Sequence, residues 1–331
     1  MRFTVSKLPA LFVAALAIRF TYSGLLYYFG GESPLLGVDS ADYIMIGRGM
    51  AERALTGNLD SWDLFGPRPV MMPLFTWLLV ICAWISTSHA AFLYVLLQGV
   101  LDAGTCIIVY RITALIDPRA STAASIAAII NPTQIVMAGL VYPDTPFVFF
   151  VALILWGVLS WLREPRWVWA LFVGLAFVLA AWIRVLIVPF AVATMVFLLA
   201  VMLLRGTLRR TQILQLSVAL ALFFLSLTPI LLRNGFAYGS YSLTSQGGLH
   251  LARWVVPLVW EVRDGTLWMR GYEEMERRAG LLPQPAHENP FEQSRRYTQV
   301  AMEELSRIGT FPIIKAWIFG AAINLGTPAV I

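Results

Sequence analysis

The stretch "VMMPLFTWLLVICAWIST", residues 70–87, decides how this chain is threaded through a bilayer, because it is apolar but of marginal length for a span. If it crosses, seven arginines in the following loops lie outside, against the positive-inside rule. If it lies in the interface, or dips into the bilayer and returns, all seven fall in cytoplasmic loops, and Pro73 near its start suits a juxtamembrane helix. We therefore predict a helix that does not span. The seven are Arg111, Arg119, Arg163, Arg166, Arg205, Arg209 and Arg210.

The composition of the whole chain is that of a membrane protein. Of 331 residues, 59% are hydrophobic and only 13% charged, whereas about 25% are charged in a soluble domain. The basic residues behind the net charge of +5 are scattered over short loops, so we expect no nucleic-acid partner. Cys82 and Cys106 lie in apolar segments and indicate neither a disulfide framework nor a metal site. The sequence predicts an all-α polytopic membrane protein.

Arg2 and Lys7 precede the first apolar segment, so we place the N-terminus in the cytoplasm and the loop 30–89 outside. Residues 1–232 then form a transmembrane module with seven complete spans. A last apolar run, 312–331, begins an eighth span inside which the sequence stops, so we expect a fragment of a longer protein. The seven predicted spans are 8–29, 90–110, 120–142, 146–162, 166–183, 185–204 and 213–232.

Residues 233–311 are rich in Arg and Glu and predict an external soluble segment. Within it, "NPFEQSRRYTQVAMEELSRIG" has the signals of a helix: Asn289 as the cap, Pro290 at the first position, Glu292 at the third and Gly309 at the end.

Three aspartates, Asp39, Asp42 and Asp144, fall on the external face in this map. Carboxylates gathered at a membrane surface suit general-base work on a hydroxyl or coordination of a cation. The alternative is structural: Asp39 or Ser40 caps the helix that begins at Ala41. Spacing alone leaves both interpretations open.

Several stretches of the chain follow one another in a recognisable order. They are "DSADYIMIGRGMAERALTGN" followed by "GPRPVMMPLFTWLL", then "IDPRASTAASIAAIINPTQIVMAGLVYPDTPFVFF", "GLAFVLAAWIRVLIVPF" and "LLRNGFAYGSYSLTSQGGLHLARW". Together these motifs resemble GT-C glycosyltransferases, in the branch of the protein mannosyltransferases and the aminoarabinose transferase of lipid A (family 39 type). The resemblance covers most of residues 8–260.

The resemblance implies an integral membrane enzyme of the GT-C fold that transfers a sugar from a polyprenyl-phosphate carrier to an acceptor hydroxyl, with inversion. Asp39 matches the family's catalytic base. Asp144 matches the acid of the second external loop, which positions the acceptor or binds a cation, while Asp42 is a supporting acid in the first turn of the helix. Tyr43 is given a packing role.

The leaving phosphate needs cationic stabilisation, for which arginine is well suited. The candidates are Arg184, Arg68 and Arg233, with Arg184 first because it ends a span. His250 is a weak candidate on the acceptor side. We predict no certain cofactor and leave a divalent cation open.

The expected partners are the lipid-linked sugar, a lipid, glycan or protein acceptor, and the bilayer. The expected location is the inner (plasma) membrane, with the site facing the periplasm or exterior. Two alternatives remain. One is a transporter or lipid flippase, whose path the intramembrane Arg19 and Asp102 would mark. The other is a non-catalytic assembly subunit of the same fold.

Overall fold

The computed structural model describes residues 7–66, 68–284 and 287–326, and within these ranges it is helical without strands. Two compact units are formed, one by residues 7–66 and 71–229, the other by residues 68–70 and 230–326. The α-helices of the first unit are α1 Leu8–Gly30, α2 Ser40–Leu55, α3 Pro73–Ile85, α4 Ala90–Ile116, α5 Ser121–Ile129, α6 Pro132–Ala138, α7 Asp144–Arg163, α8 Trp167–Ile183 and α9 Ile187–Leu204. Helix α10, Arg210–Tyr238, runs from the first unit into the second.

Five helices of the described chain are long and apolar enough to cross a membrane: α1, α4, α7, α9 and α10. Helix α8 is apolar but shorter, with 17 residues. The expected class, an all-helical polytopic membrane protein, is confirmed. The number of complete spans stays a prediction.

The segment 120–142 differs from the single span predicted for it, since it contains the two short helices α5 and α6. The break has a local cause. Pro132 has no N–H to continue the hydrogen bonding of α5, and the Asn131 side chain accepts a hydrogen bond from the Gln134 N–H at 3.3 Å, which starts α6. A helix therefore ends and a new one begins inside this apolar run.

Helix α3 is the stretch 70–87 that decided the predicted topology. Its 13 residues span about 20 Å at 1.5 Å per residue, short of the roughly 30 Å hydrocarbon core. It packs closely on α2, where a Cβ at Gly47 would lie 2.8 Å from the Leu79 Cβ. A length below that of a span agrees with a juxtamembrane helix.

Helices α7 and α8 form an antiparallel pair joined by the short link 164–166. Gly157 allows the close approach, because a Cβ there would lie 2.7 Å from a methyl group of Val173. Since the pair is antiparallel, the first residue of α7, Asp144, and the residue that follows α8, Arg184, lie at the same end.

Helices α1, α4 and α5 surround a buried ion pair. The Arg19 Nε donates to the Asp102 carboxylate at 2.6 Å, and both side chains are almost fully buried. The guanidinium also donates to the carbonyl groups of Ala128, at 3.1 Å, and Ile129. These carbonyls lie at the end of α5, so Arg19 stabilises the helix end created by the break.

The second unit contains the end of α10, then α11 Gly247–His250, a π-helical turn Leu251–Val255, α12 Val256–Asp264, α13 Trp268–Gly280, α14 Pro290–Ile308 and α15 Thr310–Gly326. The predicted helix signals of α14 are confirmed: Asn289 and Glu292 form a reciprocal capping box, and Gly309 follows with a φ of 84°. Helix α15 is the last predicted apolar run, of which residues 327–331 lie outside the described chain.

Candidate active site

The loop before α2 and the loop before α7 are hydrogen-bonded to each other through Ser40. Its Oγ donates to the Val141 carbonyl at 2.8 Å and accepts from the Gly37 N–H at 2.9 Å. Ser40 and Val141 are both fully buried. This serine therefore links segments that are 101 residues apart in the chain.

Two further contacts hold the same loops together. The Val38 N–H donates to the Tyr142 hydroxyl at 2.9 Å, and the Val141 N–H donates to the Leu35 carbonyl at 2.9 Å. Gly37 lies directly against Tyr142, because a Cβ there would come within 1.9 Å of the phenol oxygen. These contacts bring the two loops together, and a side chain at position 37 has no room.

Helix α4 donates two side-chain hydrogen bonds to the backbone of the loop before α7. The Tyr94 hydroxyl donates to the Tyr142 carbonyl at 3.1 Å. The Gln98 Nε2 donates to the Leu140 carbonyl at 2.6 Å. Both side chains are fully buried. Polar groups of a membrane-length helix thus fix the backbone just before Asp144.

Asp39 takes the N-cap position of α2, but its side chain makes no capping hydrogen bond. The residue is exposed, and its carboxylate has no hydrogen bond or ion pair to the described part of the chain. The alternative that Asp39 or Ser40 caps the helix with its side chain is wrong, because the Ser40 hydroxyl is used between the loops. The Asp39 carboxylate is free to meet a ligand.

Asp144 and Arg184, two residues predicted separately, form an ion pair. The Arg184 Nη2 donates to the Asp144 Oδ2 at 2.7 Å, and each side chain is a little over one third exposed. The Arg184 Nε is buried and has no hydrogen-bond partner among the described residues. The guanidinium therefore has donor capacity beyond the carboxylate that it already binds.

Tyr43 connects these groups, since its phenol lies within electrostatic range of Asp39, Asp144 and Arg184. Burial raises the pKa of Tyr43 to about 12, and the negative charges of Asp39 and Asp144 act in the same direction against the opposing effect of Arg184. The ring packs edge to face on Phe75 of α3, with centroids 5.0 Å apart. The phenol thus remains protonated between two carboxylates. We call Asp39, Tyr43, Asp144 and Arg184 the acidic cluster.

The other predicted residues lie outside this cluster. Asp42 is exposed in the first turn of α2. Arg68, Arg233 and His250 belong to the second unit. There Arg68 and His250 are exposed, whereas Arg233 is buried with its guanidinium 6.0 Å from the centre of the Tyr238 ring. Their roles stay predictions.

No group of three or more His, Cys, Asp or Glu side chains that could hold a metal ion occurs among the described residues. Ser40, Tyr142 and Gln98 hold the site together. The sequence indicated Ser40 only as a possible helix cap and gave no role to Tyr142 or Gln98. The sequence holds one local signal for each of the other two. Tyr142 stands two residues before the predicted site residue Asp144, and Gln98 is a polar amide inside the predicted span 90–110.

The described residues thus form an all-helical, polytopic membrane protein in which the acidic cluster lies where two loops meet. Residues 67–230, about half of the chain, match the model of the family described as dolichyl-phosphate-mannose-protein mannosyltransferase. This match to a family of the GT-C superfamily confirms the resemblance inferred from the motifs.

The family supports a membrane glycosyltransferase. The matched stretch includes Asp144 and Arg184 and begins after Asp39. No curated protein and no solved structure matches the chain.

Proposed function

We propose that this protein transfers a sugar from a polyprenyl-phosphate carrier to an acceptor hydroxyl, with inversion and with Asp39 as the general base. The observation that carries the proposal is the acidic cluster itself. The Asp39 carboxylate has no partner among the described residues, and it and the Asp144–Arg184 ion pair both lie within electrostatic range of Tyr43. Asp39 and Asp144 follow two loops that hydrogen bonds hold together. The family match over residues 67–230 supports the donor class.

The step follows from the charges of the cluster. The Asp39 carboxylate takes the proton of the acceptor hydroxyl while the acceptor oxygen forms its bond to the anomeric carbon. The bond from that carbon to the carrier's phosphate oxygen breaks, and the polyprenyl phosphate leaves with the electron pair. The proton ends on Asp39. Because attack and departure occur on opposite faces of the sugar, the configuration inverts.

Arg184 is the residue placed to stabilise the leaving phosphate. Its ion pair with Asp144 uses Nη2 and orients the guanidinium, while the buried Nε has no partner among the described residues. The Arg184 side chain is 38% exposed, and a phosphate oxygen that reaches its exposed part makes a charge-assisted hydrogen bond, which is stronger than one between neutral groups. Asp144 then acts by positioning Arg184.

We place the cluster at the external, periplasmic face of the inner membrane. Helix α7 begins at Asp144 and ends at Arg163, and its 20 residues cover about 30 Å, the thickness of a hydrocarbon core. Arg163 and Arg166 lie at the far end, where the positive-inside rule puts the cytoplasm. The sugar is a hexose or pentose, and the acceptor is a lipid, a glycan or a protein.

The test is transfer of radiolabelled sugar from polyprenyl-phosphate donors in membranes that contain the full chain, beginning with the mannosyl donor. We expect Asp39→Asn to lower the transfer rate by about 10²- to 10⁴-fold, the usual contribution of a general base. Glu52→Gln is the matched control, because Glu52 is an exposed acid on the same helix and is given no role in the site. Full transfer by the Asp39→Asn protein would refute the assignment.

A further inference from the structure

A second polar site lies at the other end of α7. A cavity of about 350 Å³ opens where α7 and α9 end and α10 begins. Arg163, Arg205 and Arg209 line it, together with the apolar side chains of Leu162 and Met202. Since α7 separates this cavity from Asp144 by the length of a span, it is distinct from the acidic cluster.

The charge of this cavity is uncompensated. None of its three arginines forms an ion pair with any residue of the described chain, and no acid lines the cavity. The neighbouring acid in sequence, Glu164, pairs instead with Arg166 at 2.9 Å. Three guanidinium groups with unused donors around one cavity are a site for an anion.

The wall of the cavity is fixed by buried amide side chains. The Gln212 Oε1 accepts from the Arg209 N–H at 2.7 Å, which holds the link between α9 and α10. The Gln215 Oε1 accepts from the Trp161 Nε1 at 2.9 Å, and its Nε2 donates to the Pro165 carbonyl at 3.4 Å. Both glutamines are buried. Buried glutamines of α10 therefore hold both links that border the cavity, 164–166 and 205–209, by hydrogen bonds.

The position of the cavity along the helices indicates what the anion is attached to. Trp167, at the start of α8, is 41% exposed, and tryptophans gather at the level of lipid headgroups. Leu203 and Leu204, at the end of α9 beside Arg205, are exposed apolar side chains. An anion that enters here from the bilayer has apolar surface below it for acyl chains.

We propose that this cavity binds the phosphate of an anionic phospholipid headgroup, with Arg163, Arg205 and Arg209 as its ligands. Arginine holds phosphate through paired N–H groups, and the apolar side chains of Leu162 and Met202 face the glycerol backbone. The site is independent of sugar transfer, so its test stands whatever the chemistry at Asp39.

The experiment measures binding of dioleoylphosphatidylglycerol to the purified full chain in detergent by native mass spectrometry. Each guanidinium near the headgroup contributes about 1 kcal/mol, or about fivefold in affinity, so the Arg163→Gln/Arg205→Gln protein should bind roughly 25-fold more weakly. The matched control is Arg111→Gln/Arg119→Gln, which removes the same charge from another predicted cytoplasmic loop and should change affinity less than about twofold.

Two results would overturn the proposal. One is equal loss of affinity in both double variants, since the binding would then follow overall charge. The other is displacement of the lipid by equimolar sn-glycerol 3-phosphate, which would make the site one for soluble phosphates. Arg205→Gln alone, with an expected loss of about fivefold, keeps the test open if the double variant does not fold.

Discussion

Ser40→Ala removes the hydrogen bonds that join the two loops of the acidic cluster. The Val141 carbonyl loses its partner at 2.8 Å, and since Val141 is fully buried, we expect a cost of about 1–3 kcal/mol for an unsatisfied buried acceptor. The Gly37 N–H, which is only half-buried, regains some hydration and costs about 1 kcal/mol. The loss of loop docking is therefore about 2–4 kcal/mol.

Hydrogen exchange of the full chain in detergent, read by mass spectrometry, reports this quantity locally. A loss of about 2–4 kcal/mol makes the amides of residues 35–41 and 140–142 exchange roughly 30- to 1000-fold faster. Amides in the packed centres of α7 and α8 should keep their rates, because Ser40 makes no contact that stabilises that pair. Sugar transfer should fall together with loop protection, since the loop holds Asp39 in place.

Ser33→Ala is the matched control, because Ser33 is exposed in the same loop and its side chain makes no hydrogen bond to the described chain. Tyr142→Phe removes one bond, to the exposed Val38 N–H, and should cost about 0.5–1.5 kcal/mol. If Ser40→Ala exchanges no faster than Ser33→Ala, the loops are held by something other than the hydroxyl, and our account of the site fails.

Gly37→Ala should displace the Tyr142 phenol, because the added Cβ would lie 1.9 Å from its oxygen; faster exchange at 35–41 and slower transfer would show it, and unchanged rates would contradict it. Arg19→Met leaves Asp102 buried without its partner and should cost about 3–5 kcal/mol in thermal unfolding, with part of the loss recovered by Asp102→Leu in the same chain. Tyr43 has its pKa raised to about 12, so the neutral phenol is favoured in the fold. Any stability that this shift provides is complete below pH 10, the ordinary pKa of tyrosine, and is lost between pH 10 and 12. The free energy of unfolding of wild type and of Tyr43→Phe should therefore vary differently with pH only in that window. A different pH dependence near neutral pH would contradict the assignment.

Much of the architecture follows from local sequence signals. Apolar length predicted α1, α4 and α7, and the polar signals around Asn289 predicted α14 with its capping box. The break between α5 and α6 at Asn131 could also have been predicted, because Asn followed by Pro is a typical start of a helix. The apolar character of the whole run concealed it, since a membrane-length window averages over a single interruption.

The site itself depends on contacts that no local pattern encodes. Charge parity placed the loops of Asp39 and Asp144 on one side, but the bond from Ser40 to Val141 joins positions 101 residues apart. Similarly, Arg184 and Asp144 were each predicted as site residues, yet their pairing across 40 residues required the antiparallel packing of α7 on α8. Topology limits which loops can meet, and side-chain packing decides which atoms do.

The buried charges bear on the transporter alternative. A transport path needs polar groups that a substrate can reach within the membrane. Arg19, however, is 1% exposed, and its donors are directed to Asp102 and to carbonyls at the end of α5. These contacts explain the two intramembrane charges as support for a broken helix. The Asp39 carboxylate, by contrast, is exposed at the start of α2 and has no hydrogen bond or ion pair to the described residues. The distribution of satisfied and unsatisfied polar groups therefore favours chemistry at the end of the bundle over transport through it.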